Sequence, residues 1–470
     1  MYDVLYWFKI KQIKITQYKF IIIKEEKQMP DFMVGFDDGS VAVIGPGRKN
    51  LFGTGPNSNQ QFTSGFEPNS RIFQKIPFEV AVGEDIQKIA AGGTFGRSSL
   101  FVLTLRNKDG VVASQKVLKD TSCLYWFGSG SFSDYNLRDA PNFLEFLNDE
   151  LIKDISIYQT NIVLVMASGQ LRANQNAIDA YNLSELKLGQ AITGSFKPVS
   201  FPREGDKDGH RIPVKTVLGE YHMFVITENK KAYMTGQNIK VSSEYFVPAV
   251  EAKNFLKRTG SGIMSAVGLG RSAWQTFGYS IKKETFKEIE QIFIAPDSAT
   301  YVITPHGVLL SLVMGGSLNF GERVGFCAMA ATANDILLVN KNNVLFGWGH
   351  NVRAQLGQKY ARKTWSQEFK KKQMTKPPID HQINLAPLLG VGNSIQSMYM
   401  NQNRTYILTA QGFIIAWGRF LSPQPMIMYF DGRSTSPVVE STRASSPTPS
   451  ARGAANDEYE DVDLFESDSE

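Results

Sequence analysis

Cysteine is nearly missing from this chain: Cys123 and Cys327 are the only two in 470 residues. Two sulfurs so far apart in sequence make neither a disulfide framework nor a cysteine-based metal site. Their scarcity predicts a reducing, intracellular setting, cytoplasm or nucleus. Histidine is sparse too, and His210, His222, His306, His350 and His381 show no metal-ligand spacing. No stretch approaches the roughly 20 apolar residues that cross a bilayer. Phe20-Ile21-Ile22-Ile23 is flanked by Lys9, Lys11, Lys14, Lys19 and Lys24, and no signal-peptide cleavage pattern follows. The phosphate-loop, H-E-x-x-H, C-x-x-C and G-x-S-x-G motifs are all lacking. Gly128-Ser129-Gly130, Gly260-Ser261-Gly262 and Gly268-Leu269-Gly270 lack the rest of a dinucleotide fingerprint and read as turns. These absences predict a protein with no membrane span, no cofactor, no metal and no catalytic motif.

What the chain does have is glycine and aromatics: 40 Gly and 31 Phe within a 42% hydrophobic composition. That balance suits a turn-rich β protein. The stretch from Asn343 to Gly357 contains Phe346-Gly347-Trp348-Gly349-His350-Asn351, then Gln355-Leu356-Gly357. It reads as a short strand, a Trp-Gly break, a polar turn and a second glycine stop. Weaker copies are Ile44-Gly45 leading to Leu51–Gly55, Leu124–Gly128, Ala232–Gly236 and Phe413–Gly418. Degenerate copies lie near Leu171–Asn176 and Val308–Gly316. A second element precedes them, a β-branched start, a small or polar turn and an apolar strand. Its copies run Ile86–Thr104, Ile152–Met166, Val214–Thr227, Ile289–Thr304, Val324–Asn340 and Ile395–Thr409.

Seven glycine-ended strands, alternating with six such elements over 33–430, predict an all-β, seven-bladed β-propeller. The missing seventh element is expected from one of the termini. The glycines are expected to turn the backbone where a strand ends beside the central channel. Trp348 and Trp417 are expected to pack between blades.

These residues resemble the repeats of the regulator of chromosome condensation family. The resemblance rests on Trp348-Gly349-His350-Asn351 with Gln355-Leu356-Gly357, on Ala91-Gly92 with Ser98 and Leu103-Thr104, and on Gly219, His222, Ile226 and Thr227. It implies a seven-bladed propeller, with His222 making a structural hydrogen bond inside its blade. At the family's histidine position this chain carries Ser99, Asn161, His222, Ala299, Asp335 and Arg404, which marks a diverged sequence. Arg353 and Ala354 replace the loop glycine usual before Gln-Leu-Gly. The family includes exchange factors for the GTPase Ran, chromatin-bound propellers and interaction platforms. The resemblance therefore implies a non-enzymatic platform that binds a protein partner through strand-end loops, with a guanine-nucleotide exchange factor for a Ran-like small GTPase as the alternative. A monomer is expected. Tyr181 to Arg211 reads as a long polar insert in the third blade.

Charge divides the chain into three parts. Residues 1–28 read as an N-terminal extension, either an extra strand or an upstream segment with Met29 as the start. Residues 29–432 read as the propeller, and 433–470 as a disordered tail, Ser/Pro-rich and then acidic. The tail holds nine acidic residues against Arg433, Arg443 and Arg452, a charge of −6, so the overall +5 leaves +11 on residues 1–432. Lys359, Arg362, Lys363, Lys370, Lys371, Lys372 and Lys376 surround Trp365 and Phe369. This basic loop suits an acidic protein surface, nucleic acid or chromatin, or plain solvent. Gly45, Gly128, His222, Gly236, Trp348, Gly349, Trp417 and Gly418 are the expected structural positions of the repeat.

Overall fold

The computed structural model describes residues 33–428, with interruptions of which the longest are 129–141, 187–195, 203–211, 237–245, 249–273, 312–324 and 358–381. By contacts the chain divides into Met1–Asp431 and Gly432–Glu470. The second unit, the residues before 33 and the basic loop from Lys359 to Lys376 lie outside the described residues.

The described part of the first unit is built of small antiparallel sheets, seven of which have three to five strands. Sheet 1 takes Met33–Gly35, Val41–Ile44, Leu51–Gly55 and Asn69–Lys75. Sheet 2 takes Glu84–Thr94, Arg97–Arg106, Thr121–Gly128 and Asn142–Leu147. Sheet 3 takes Ile152–Tyr158, Asn161–Met166, Leu171–Ala173 and Lys197–Val199. Sheet 4 begins Pro213–Leu218, His222–Thr227, Ala232–Gly236 and is completed by Gln275–Phe277 and then Phe246–Pro248. Sheet 5 takes Gln291–Ile294, Thr300–Ile303 and Leu309–Ser311. Sheet 6 takes Phe326–Ala331, Asp335–Asn340, Leu345–Gly349 and Gln382–Ile383. Sheet 7 takes Ile395–Met400, Arg404–Thr409, Ile414–Gly418 and Met426–Met428.

The six elements read from sequence are the first two strands of sheets 2 to 7, and sheet 1 supplies the seventh from Met33–Ile44. Each of these sheets is drawn from one contiguous stretch of chain. The first strands touch in chain order, and the first strand of sheet 7 touches that of sheet 1. Joining the ends of this array is therefore a matter of packing, not of a strand lent from one terminus to the other.

Apolar residues sit between sheets rather than in one common centre. Ile89 and Leu100 of sheet 2 cluster with Val43 of sheet 1 and with Tyr406, Leu408 and Ile414 of sheet 7. Further clusters join sheets 2 and 3 through Trp126 and Leu164, and sheets 3 and 4 through Val165 and Tyr233. Sheets 4 and 5 meet at Phe224 and Val302, 5 and 6 at Ile303 and Leu338, and 6 and 7 at Leu337 and Trp417. A two-layer contact of this kind lets each short sheet bury both faces, which no single repeat could do alone.

Two local features repeat. In five sheets the first strand carries a bulge at the same step, between Ile86 and Lys88, Ile152 and Asp154, Pro213 and Lys215, Phe326 and Ala328, and Ile395 and Ser397. Such a bulge re-aims the side chains that follow it. The second feature is the glycine that ends the third strand. Gly236 has φ 108°, and a Cβ there would lie 2.4 Å from the carbonyl oxygen of Tyr221. Gly128 and Gly418 meet Ser98 and Asn403 in the same way. These glycines do not border the channel, as the sequence reading expected. They lie on the third strand, and the backbone at the start of the second strand is what leaves no room for a side chain.

Antiparallel pairing gives every sheet the same polarity. The first-to-second hairpins and the third-to-fourth connections leave from one rim. The second-to-third hairpins and the links between sheets leave from the other. The Tyr181–Arg211 stretch is not a plain insert: Tyr181 ends the helix Gln175–Tyr181, fully buried, and Lys197–Val199 is the outer strand of sheet 3.

Candidate functional site

The two rims are held by different chemistry. On the rim of the second-to-third hairpins, neighbouring sheets are joined by ion pairs. Lys49 of sheet 1 reaches Asp85 of sheet 2 at 2.6 Å, and Lys230 of sheet 4 reaches Glu290 beside sheet 5 at 3.0 Å. Lys153 of sheet 3 meets Glu228 of sheet 4 at 3.4 Å. Just inside this rim, fully buried Glu84 is held by Arg106, Thr104 and Tyr125, and burial with that carboxylate nearby pushes the Tyr125 phenol well up.

On the opposite rim the links are neutral. His222 Nε2 lies 3.0 Å from Thr300 Oγ1, so this histidine ties sheet 4 to sheet 5. The bond runs between sheets, not inside one as the resemblance implied, because His222 opens the second strand opposite Gly236, where its ring reaches the next sheet. It is 1% exposed, and burial alone holds its pKa down to about 4. Asn161 takes the same position in sheet 3 and donates to Tyr181 Oη at 3.2 Å. That hydroxyl donates at 2.7 Å to the carbonyl of Gly219, again one sheet on.

In sheet 6 the position belongs to Asp335, whose carboxylate accepts from Asn351 N at 2.7 Å and from Gln355 Nε2. The Gln355 carbonyl then receives Thr405 Oγ1 at 2.5 Å and Trp417 Nε1 at 2.8 Å, both from sheet 7. Trp417 is fully buried in this junction. Arg404, the sheet 7 counterpart, donates through Nε to the carbonyl of Arg419 at 3.0 Å. Ala299 lies outside the described residues, as do His350 and the side chain of Trp348.

Sheet 1 contains a second copy of the strongest motif that the sequence reading passed over. Asn57 Oδ1 accepts from Phe62 N at 2.9 Å, as Asn351 Oδ1 accepts from Leu356 N at 2.8 Å. Gln61 reaches Ser40 at 2.9 Å, as Gln355 reaches Asp335. The shared signal was Gly-x-Asn-x-x-x-Gln followed by an apolar residue, present as Gly55–Phe62 and Gly349–Leu356. Gly45 closes the second strand of sheet 1, its N–H donating to Asn50 O at 2.9 Å.

The first strands of all seven sheets also line one cavity of about 340 Å³, a central channel with Val34, Ala90, Ile157, Val217, Phe293, Met329 and Tyr399 among its walls. A Cβ on Gly35 would fall inside the Tyr399 ring, so sheets 1 and 7 approach across the channel wall only because that position is glycine. Among the described residues no group of three or more His, Cys, Asp or Glu could hold a metal ion, and no helix is long and apolar enough to cross a membrane.

Small antiparallel sheets ranged around a shared channel define a propeller-like β protein. No family model matches the chain, and no curated protein matches it. Among solved structures it is similar to Prp20p from Saccharomyces cerevisiae, described with its binding to Gsp1p and histones, at 12% identity over 82% of this chain and 87% of that one, TM-score 0.47. It is similar to human WBSCR16 at 13% identity over 80% and 91%, TM-score 0.43. A third similarity is to yeast RCC1 (Prp20) bound to Kap60, at 12% identity over 80% of each chain, TM-score 0.43. Two of these three structures are of Prp20, printed as yeast RCC1, whose family the repeats resemble.

Proposed function

We propose that residues 29–432 form a closed, seven-bladed propeller that acts as a protein-interaction platform without covalent chemistry of its own, and that its partner meets the rim of the third-to-fourth connections. One observation carries this reading. Buried polar groups of that rim link sheet to sheet, at His222–Thr300, Tyr181–Gly219 and Gln355–Trp417. The connections leaving it range from Gly418–Met426 to Gly236–Gln275. A rigid frame with variable loops on one rim is how a scaffold carries recognition. The basic loop Lys359, Arg362, Lys363, Trp365, Phe369, Lys370, Lys371, Lys372 and Lys376 belongs to the longest of these connections except that of sheet 4. Its charge suits an acidic protein surface.

The test is cross-linking of the full-length protein to its captured partner, with the linked lysines identified by mass spectrometry. Links are expected at Lys359–Lys376. Links confined to Lys49, Lys153, Lys230 and Lys341, on the other rim, would refute the assignment. Replacing Lys370, Lys371 and Lys372 with Ala is expected to leave folding intact and weaken capture. Preferential capture of a nucleotide-free small GTPase would replace the platform with the exchange factor; Prp20p is described with its binding to Gsp1p.

A further inference from the structure

The outer edges of the seven sheets are not alike. An outer strand presents backbone N–H and C=O groups able to pair with a further strand, and proteins blunt such edges with short strands, proline or basic charge. The outer strands of sheets 3 to 7 have only two or three residues each. Two of them contain a proline, Pro198 and Pro248. That of sheet 1, Asn69–Lys75, is longer and carries Arg71 and Lys75. Sheet 2 departs from the rule. Its outer strand Asn142–Leu147 has six residues, Asn-Phe-Leu-Glu-Phe-Leu, with neither a proline nor a basic residue. It pairs in unbroken antiparallel register with residues 121–126, and among the described residues no strand lies beyond it.

The register divides this edge into two sets of alternate positions, one on each face of the sheet. Phe143 and Glu145 stand opposite Tyr125 and Cys123, while Leu144 and Phe146 stand opposite Leu124 and Ser122. A strand that fits has apolar residues at alternate positions and a cation between them. The surrounding chain makes the same demand. Residues 139–152 hold Asp139, Glu145, Asp149 and Glu150 and no basic residue.

The N-terminal extension meets both conditions. Phe8-Lys9-Ile10-Lys11 alternates apolar and basic residues, and up to residue 24 five lysines stand against Asp3 alone. Its tether is long enough. Met33 opens sheet 1, whose first strand touches that of sheet 2. Crossing four strands takes about 14 Å, and the residues between Lys11 and Met33 span up to about 70 Å when extended. The other long edge, in sheet 1, is disfavoured because Arg71 and Lys75 repel lysines.

We propose that the outer edge of sheet 2 is a strand-addition site, and that its occupant is the Phe8–Lys11 segment of the same chain. Phe8 and Ile10 align with Leu144 and Phe146, and the lysines between and beside them with Glu145. The added strand turns an apolar edge into a lysine-bearing one, which resists pairing with further chains. This contact lies on the outer side of sheet 2 and is independent of the partner proposed for the rim.

The experiment combines two measurements on the full-length protein. Hydrogen exchange, read peptide by peptide, is expected to show residues 8–11 and 142–147 slowed at least about tenfold relative to an unstructured chain. Zero-length carbodiimide cross-linking, which joins an ammonium to a carboxylate in contact with it, is expected to link Lys9 or Lys11 to Glu145. Ile10→Pro removes a backbone donor from the added strand. It should release both segments together and leave the protection of Thr121–Gly128 in place. A variant with Lys9→Glu and Lys11→Glu sets like charge against Glu145 and carries the same test should Ile10→Pro fail to fold. Unprotected exchange at residues 8–11 would overturn the proposal, as would unchanged protection of 142–147 in the folded variants. Protection of 142–147 that rises with protein concentration and survives both variants would assign the edge to a second copy of the chain, and would equally overturn it.

Discussion

Acidification gives a sharp test of how the sheets are joined. His222 is buried at the junction of sheets 4 and 5, bonded to Thr300 and set edge-on to Phe224 with ring centroids 5.4 Å apart. Burial disfavours the charged imidazolium, so the folded protein holds this pKa near 4, against an ordinary value of 6.5. Between those values the unfolded chain binds a proton that the folded chain refuses. Stability must then rise with pH across this window. The stabilising effect is complete above pH 6.5 and is lost as pH falls toward 4. Integrating the shift gives a loss of about 2 kcal/mol at pH 5 and about 3 kcal/mol at pH 4 and below. Carboxylates in general take up protons over acid pH, so the measurement is a difference between two proteins. His222→Gln keeps an amide able to bond Thr300 and removes the titrating ring. Urea unfolding of both proteins at pH 7, 6, 5 and 4 should show the wild type losing about 2 kcal/mol more than the variant between pH 7 and 5. Parallel curves, or a His222 pKa near 6.5 by NMR, would refute the argument.

Other outcomes follow from the same geometry. Trp417→Ala removes a fully buried indole and the donor to Gln355, and should cost about 3–5 kcal/mol by urea unfolding. Ala354 holds φ 56° where the resembling repeats carry glycine; relief of about 1–2 kcal/mol of strain, partly offset by about 0.4–1 kcal/mol of added freedom in the unfolded chain, should make Ala354→Gly more stable. The same urea assay checks it, and a less stable variant would contradict the strain argument. Gly236→Ala combines φ 108° with a 2.4 Å approach to Tyr221 O and should cost at least about 2 kcal/mol, seen as a lowered urea midpoint. Removing residues 433–470 raises the formal charge from +5 to +11 and should lengthen retention on a heparin column without lowering thermal stability.

The repeat was legible because its residues answer to local backbone needs. Gly128, Gly236 and Gly418 stand where a Cβ would strike the second strand, so they recur visibly. The two-strand elements showed for a similar reason, through apolar second strands such as Asn161–Met166 and His222–Thr227, buried at every position. The Asn57–Gln61 copy was obscured because Phe62 and Ser40 stand where Leu356 and Asp335 stand in sheet 6, although the hydrogen bonds are alike. The direction of the His222 bond was not legible at all. Its partner Thr300 is 78 residues away, and nothing local separates a bond within a sheet from one to the next sheet.

The bulge register explains how one repeat serves two ends. The bulge falls near the start of each first strand, on the side of the rim with the ion pairs Lys49–Asp85, Lys153–Glu228 and Lys230–Glu290. Those exposed pairs contribute little individually, since solvent screens them. The opposite rim carries the buried, neutral links of His222, Tyr181 and Gln355, which cost more to break because each would leave a polar group unsatisfied. The firmer rim is thus the one from which the long connections leave. Substitution within those connections leaves the links beneath them in place, so recognition can diverge there without loosening the sheets. The residues that stand at the position of His222 in sheets 3, 6 and 7 obey a related constraint. Asn161, Asp335 and Arg404 each retain a polar side chain hydrogen-bonded at the same place.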